Sequence, residues 1–301
     1  MNLIGLDCEY FYQSPSGLAK PAKDVLVASK QHRPIFKEIG SDIADGGYWT
    51  AEVTLANSKL TEDGLALEVP VTPEREVDSL MQHLYEGLRE AWKLADDNGY
   101  ILSAAPLVYL DPRDLVDHPE LRVLGCSPDK CLYDLSTCPW QDPRKITWRT
   151  GGFHIHFSIS EIHKDMNKVQ GLVMLLDCTL GLYDVLIEST DLGRQRRQMY
   201  GRAGKFRIQP WGVEYRTPSS VASTNPELTA GLLGLAKMVH VLIEDGYNPF
   251  EFINQLDFGR VVPTINNCDP EAAKQLFSNV SEFFGVQAPA PPKNYIMEAW
   301  K

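Results

Sequence analysis

The chain has 301 residues, of which 44% are apolar and 23% charged, a globular composition that excludes a disordered, collagenous or coiled-coil protein. At this length roughly three quarters of the unfolded surface can be buried, so folding needs no disulfide or metal staple. With 29 basic against 40 acidic residues the net charge is −11, which argues against sequence-independent binding to nucleic acid, where cations must neutralise phosphates.

The N-terminal run Met1 to Glu9 has no basic start and meets Asp7 and Glu9 at once, unlike a secretory signal. In Leu6-Asp7-Cys8-Glu9-Tyr10 the two acids fall on one face of a strand. Leu65–Val69 alternates in the same way, with Glu68 opposite Leu65, Leu67 and Val69. Thr72-Pro73-Glu74 carries a helix start signal. Apolar residues from Val77 to Trp92 then recur at steps of three and four until Asn98-Gly99. Residues 100–150 are rich in Pro, Asp and Cys and are expected to form a long irregular connection. Cys126, Cys131 and Cys138, with His118 nearby, lack the spacing of common zinc fingers. They are expected to be reduced thiols, like the other cysteines.

Phe153–Ile159 alternates strictly, placing His154, His156 and Ser158 opposite Phe153, Ile155 and Phe157. Lys164–Glu188 is a long, largely buried helical candidate. Its apolar stretch is interrupted by Asp177, and that of Ala230–Ile243 by Lys237 and His240, so no membrane span is expected. Asp191–Arg216 sets seven cations, Arg194, Arg196, Arg197, Arg202, Lys205, Arg207 and Arg216, against Asp191 and Glu214. Glycines 201 and 204 and the apolar Phe206, Ile208 and Trp211 break this run into turn and strand. Arginines beside glycines at a sheet edge suit phosphate or carboxylate, whose oxygens a planar guanidinium binds in pairs. In Val213–Arg216, Glu214 and Arg216 share a face. Asn225-Pro226-Glu227 and Asp269-Pro270-Glu271 start two further helices, ending near Asp245-Gly246 and Phe284. Ala288–Lys293 reads as an extended polyproline segment.

Four strands thus bury one apolar face and offer charged or imidazole groups on the other, which predicts an α+β fold with an antiparallel sheet covered by helices on one side. The side chains of His154 and Glu214 are expected outside the core. Asp7, Glu9, Glu68 and Glu214, with His154 and His156, form a mostly carboxylate donor set that suits Mg²⁺ or Mn²⁺ better than structural Zn²⁺. Acids for a metal and arginines for phosphate point to a nucleotide with its ions. The chain has no G-x-x-x-x-G-K-[ST] loop and no G-x-G-x-x-G turn after a strand.

Gly151-Gly152-Phe153-His154-Ile155-His156 resembles the Gly-Gly-x-His-x-His strand of the glutamine-synthetase and glutamate–cysteine-ligase superfamily. Tyr200–Arg207 followed by Glu214-Tyr215-Arg216 is similar to its paired arginines and Glu-x-Arg strand. Asp7-Cys8-Glu9, Asp63-Gly64 with Glu68, and Gly125–Asp129 extend the likeness to phage-type carboxylate–amine ligases over roughly 1–220; Cys8 stands where that subfamily has proline. The resemblance implies a curved, mostly antiparallel glutamine-synthetase-like sheet in one catalytic domain, 1–285, with a tail, 286–301. It implies an ATP-dependent ligase in the cytoplasm, that of the host if phage-encoded. Such an enzyme joins a small-molecule or peptide carboxylate to an amine, or to ammonia supplied freely or by a glutamine amidotransferase partner. By the same likeness Asp7, Glu9, Glu68, His154 and Glu214 hold two or three Mg²⁺ ions, and His156 lies near the nucleotide phosphates. Arg202 and Arg207 grip the transferred phosphoryl group, and Arg216, with Glu68, completes the catalytic set. The competing readings are a metal-dependent hydrolase built on His154 and His156, and a non-catalytic interaction protein on a ligase fold.

Overall fold

A computed structural model describes residues 3–38, 47–118, 121, 130–134 and 142–300. The strands are β1 (Leu3–Gln13), β2 (Ala19–Lys20), β3 (Arg33–Glu38), β4 (Gly47–Thr54), β5 (Lys59–Asp63), β6 (Ala66–Glu74), β7 (Ile101–Ser103), β8 (Leu107–Tyr109), β9 (Lys130–Cys131), β10 (Trp148–Thr150), β11 (Phe153–Ser158), β12 (Lys205–Gln209) and β13 (Gly212–Tyr215). The helices are α1 (Ala22–Leu26), α2 (Val77–Asp97), α3 (Asp114–Asp117), α4 (Met166–Leu176), α5 (Leu182–Ile187), α6 (Asp191–Met199), α7 (Pro226–Glu244), α8 (Pro249–Ile253), α9 (Phe258–Asn267) and α10 (Pro270–Phe284).

The main sheet runs β3-β4-β5-β6-β1-β11-β13-β12-β9, each neighbouring pair antiparallel, while β2 and β7 pair with the far end of β1. The α+β class and the large antiparallel sheet agree with the strand patterns. One apolar face is supplied by Ile4, Leu6, Cys8 and Tyr10 of β1, Val69 of β6, Phe153, Ile155 and Phe157 of β11, and Val213 of β13. It packs in one core with Leu80, Leu84 and Leu88 of α2, Leu172 and Leu176 of α4, and Leu232, Leu235 and Val239 of α7. Each such side chain fully withdrawn from water contributes roughly 1.5–3 kcal/mol. The core thus sits between sheet and helices, and the opposite face is left for Asp7, Glu9, Glu68, His154, His156 and Glu214.

Asn225 caps α7 by accepting from Leu228 N, and Asp269 caps α10 by accepting from Ala272 N. Both have proline in the first turn, as their sequences require. The start signal at Thr72-Pro73-Glu74 is overridden: β6 runs through it to Glu74, and α2 begins at Val77 behind Glu76. The pairing with β1 shifts register between Ile4 and Leu6, which face Glu74 and Val71. Proline has no amide hydrogen to donate to a ladder, and such an irregularity is where a sheet tolerates it. Residues 100–150 are also more ordered than expected, since their described parts carry β7 to β10 and α3. Strands of two or three residues are too short to show alternation.

The candidate Lys164–Glu188 is one helical rod, capped by Asp165 and interrupted by a π turn, Asp177–Gly181, between α4 and α5. Contrary to the shorter windows judged from sequence, Met166–Ile187 and Pro226–Glu244 are long and apolar enough to cross a membrane by length and composition. The apolar window of the first is 83% buried inside the protein, so its apolarity is accounted for by the core. The polyproline segment leads to an anchored end, not a loose one. Met297 and Trp300 are buried, Ala104 N donates to Tyr295 O at 2.9 Å, and Trp300 Nε1 donates to Ser223 O at 2.8 Å. Cys8, Cys131, Cys178 and Cys268 are buried free thiols, whereas Cys126, Cys138 and the Gly125–Asp129 motif lie outside the described residues.

Candidate active site

Strand register places the predicted residues on one face. Glu9 stands opposite Glu68, and Asp7 opposite His154. His156 stands opposite Glu214, and Glu214 opposite Arg207. Residues directly across an antiparallel pair project to the same side, so a band of acids and imidazoles crosses β6, β1, β11 and β13 and ends in Arg207 of β12 and Arg216, the residue after β13.

The band is more enclosed than the alternation implied. His154 is 1% exposed and Glu214 2%, and Glu9 and Arg216 are buried too. These groups are therefore surrounded by one another and not by water, which a polar strand face seen one strand at a time cannot reveal. His154 Nδ1 lies 3.7 Å from Glu214 Oε1, while its Nε2 has no hydrogen-bond partner among the described residues. Burial and the nearby Arg216 hold the imidazole pKa well below its usual value, so the ring is neutral and keeps a lone pair. Glu9 Oε2 accepts from Gly152 N at 2.6 Å, and Gly152 O accepts from Glu9 N at 2.9 Å. Burial and the adjacent Asp63 push the Glu9 carboxyl well above the carboxylate range, against the opposing pull of Arg216. Burial likewise raises Glu214, against His156 and Arg207.

Glu214 is the hub of the cationic end. Arg216 Nη1 donates to its Oε1, and Arg207 Nη1 and Gln209 Nε2 donate to its Oε2, both at 3.3 Å. The Arg216 guanidinium lies 5.2 Å from the centre of the Tyr200 ring. His156 Nε2 is 3.1 Å from Asp7 Oδ2, and the exposed Trp211 stacks on the His156 ring with centroids 5.1 Å apart. Arg202 pairs with Asp134 at 3.5 Å, whereas Arg207 reaches Glu214. The glycine turn expected between them is present, with φ +72° at Gly204, and Gly201, just before Arg202, has φ +74°.

Among the described residues no three of His, Cys, Asp and Glu are drawn together closely enough to hold a metal ion. The donor chemistry nevertheless fits a hard cation, with carboxylates around one neutral imidazole whose Nε2 is open among the described residues. A small cradle lies at Gly152. A methyl group added there would stand 2.5 Å from His154 Nε2 and 3.2 Å from Glu9 Oε2, so both atoms border the same space.

Two cations of the basic run serve the fold. Arg196 is fully buried and donates to Gly151 O, Thr217 O and Pro218 O, each at 2.8 Å, stapling the entry of β11 to the exit of β13. Gly201 makes room for it, since a methyl there would stand 1.9 Å from Arg196 Nη1. Arg197 pairs with buried Asp184 at 2.5 Å and donates to Glu188 O at 3.1 Å. Both lie on α6, capped by Thr190, a helix the basic run had masked. The sequence signal was the Thr190-Asp191 start.

The search of curated proteins returned no match to the chain. Residues 142–246, about a third of the chain, match the family described as "Phage phiEco32-like COOH.NH2 ligase-type 2". They include His154, His156, Arg202, Arg207, Glu214 and Arg216 but not Asp7, Glu9 or Glu68. Over that stretch the chain is similar to the phage-type carboxylate–amine ligases, the family its motifs resemble.

Proposed function

We propose that the protein forms an amide bond between a carboxylate and an amine, using ATP and Mg²⁺. A substrate carboxylate oxygen attacks the γ-phosphorus and ADP leaves, giving an acyl phosphate. The amine nitrogen then attacks the carbonyl carbon, expels inorganic phosphate and loses a proton. Phosphoryl transfer depends mainly on positioning and charge neutralisation, and the residues divide accordingly. Asp7, Glu9, Glu68, His154 and Glu214 would hold Mg²⁺, or Mn²⁺ in its place, which when bound would neutralise the phosphate oxygens. For this Glu214 must exchange Arg216 and Arg207 for the cation, releasing two guanidinium groups toward the transferred phosphoryl group. His156, beside Trp211, would face the nucleotide phosphates, and Arg202 would leave Asp134 for the same anion.

The observation that carries this reading is the single band of acids and imidazoles running in register into Arg207 and Arg216. The test is ADP release by the purified chain with Mg·ATP across a matrix of carboxylates and amines. Release that requires both partners is expected. Turnover of a substrate with Zn²⁺ and without ATP would replace the ligase by a hydrolase.

A further inference from the structure

Beneath the arginine segment lies a buried polar cluster that the proposed chemistry does not use. Asp177, fully buried, opens the π turn between α4 and α5. A π turn inside a helix is rare and often marks a functional position. The Asp177 carboxylate accepts from Tyr215 OH at 2.7 Å through Oδ1 and from Tyr133 OH at 2.5 Å through Oδ2. The Gly204 backbone amide also favours its ionised form.

The two hydroxyl donors and this amide come from the three segments that carry the cationic end of the site. Tyr215 lies between Glu214 and Arg216 on β13 and points to the opposite face of the sheet. Gly204 is the turn between Arg202 and Arg207. Tyr133 precedes Asp134, the partner of Arg202. The segments also hold each other: Leu132 N donates to Gly204 O at 2.9 Å, and the Tyr133 ring sits 2.6 Å from where a methyl on Gly204 would stand. One carboxylate in the helical layer thus fixes, from below, the backbone that aims Arg202, Arg207, Glu214 and Arg216.

We infer that Asp177, acting through Tyr133, Tyr215 and Gly204, is a positioning residue that sets the arginine turn against Glu214. The inference rests on the ligase reading for its effect on turnover but not for its effect on the turn. A misplacement of about 1 Å in a positioned group can cost about 10²-fold in rate, so loss of one strut should lower turnover without unfolding the chain.

The test compares wild type, Tyr133→Phe, Asp177→Asn, Asp177→Ala and Arg207→Lys, and Tyr133→Phe combined with Arg207→Lys, in the full chain. Three measurements are made: amide hydrogen exchange, Mg·ATP affinity and ADP release. In Tyr133→Phe, exchange across 202–207 should rise by about 10-fold or more while α7 is unchanged, because local opening is independent of global unfolding. Turnover should fall by about 10-fold or more with ATP affinity within about twofold, and the loss should largely vanish in the Arg207→Lys background, as for residues acting in one unit. Asp177→Asn, which keeps an acceptor oxygen, should retain more turnover than Asp177→Ala. A folded Tyr133→Phe protein with wild-type exchange at 202–207, or with a full multiplicative loss in the double variant, overturns the inference. If Asp177→Ala does not fold, Tyr133→Phe decides alone, because Tyr133 is only half-buried. If wild type releases no ADP with any carboxylate and amine, the ligase reading fails, and the exchange data still decide the role of Asp177.

Discussion

Gly152→Ala adds one methyl group at the point where Glu9 and His154 meet. The backbone of Gly152 is outside the left-handed region, so alanine is not strained there and the whole effect comes from what the methyl touches. It would lie 2.5 Å from His154 Nε2, 3.0 Å from His154 Cδ2 and 3.2 Å from Glu9 Oε2. The imidazole cannot simply swing aside, since it is buried with Glu214 3.7 Å from its other nitrogen and the Tyr200 ring beside it. Overpacking of this kind costs about 1–3 kcal/mol, which lowers the melting temperature by about 2–4 °C per kcal/mol in a domain of this size. Displacing the ring removes His154 Nε2 from the cradle, so the Mg²⁺ concentration for half-maximal ADP release should rise by about 10–100-fold, the usual effect of misorienting a ligand. The assay is an Mg²⁺ titration of turnover beside thermal melting. Gly234→Ala is the control: no atom of the described residues lies within 4 Å of its added methyl, and in mid-helix it should raise stability by about 0.5–1 kcal/mol with turnover unchanged. Gly152→Ala with wild-type Mg²⁺ dependence would refute the assignment of Glu9 and His154 to the metal.

Arg207→Lys keeps the charge but loses the paired geometry, so turnover should fall by about 10²–10³-fold with ATP affinity little changed; parallel loss of both, measured by calorimetry and ADP release, would remove Arg207 from the transferred phosphoryl group. Arg196→Met removes three buried charge-assisted hydrogen bonds, while Gly151 O and Pro218 O keep the Ser220 and Phe153 amides as donors, and should destabilise the chain by about 2–3 kcal/mol; denaturant unfolding checks this, and near-wild-type stability would refute its role as a staple. Mg·ATP at about 100 times its dissociation constant should stabilise the fold by about 2.7 kcal/mol, and identical melting with ATP plus chelator would count against the nucleotide site. Burial raises the Asp177 pKa from 3.8 to about 6, against the lowering effect of Tyr133 and Tyr215. Between these values the folded chain holds a proton the unfolded chain has lost, so this group's contribution to stability falls as pH rises through the window, by about 3 kcal/mol in all. The stability difference between Asp177→Asn and wild type should change by about 2 kcal/mol, most of that amount, between pH 4 and 7, and a constant difference in denaturant midpoints would refute it.

The one-dimensional pattern determined a great deal here. Period-two alternation is a property of the extended backbone itself, so Asp7 with Glu9, Glu68, His154 with His156, and Glu214 with Arg216 could be set on polar faces before any pairing was known. The caps at Asn225 and Asp269 were legible because a cap bonds within three residues of itself. Only the tertiary structure decided which strands lie side by side, and hence that these faces form one band. It also decided what long-range pairing overrides: β1 draws Thr72-Pro73-Glu74 into the sheet against a local helix signal. Burial was the least legible quantity. Arg196, Arg197, Arg207 and Arg216 read alike in a basic run. Yet Arg196 caps three carbonyls, Arg197 neutralises Asp184, and Arg207 and Arg216 converge on Glu214. The role of a guanidinium is set by the acceptors that the fold brings to it, and those acceptors lie 7 to 45 residues away, except for Glu214 beside Arg216.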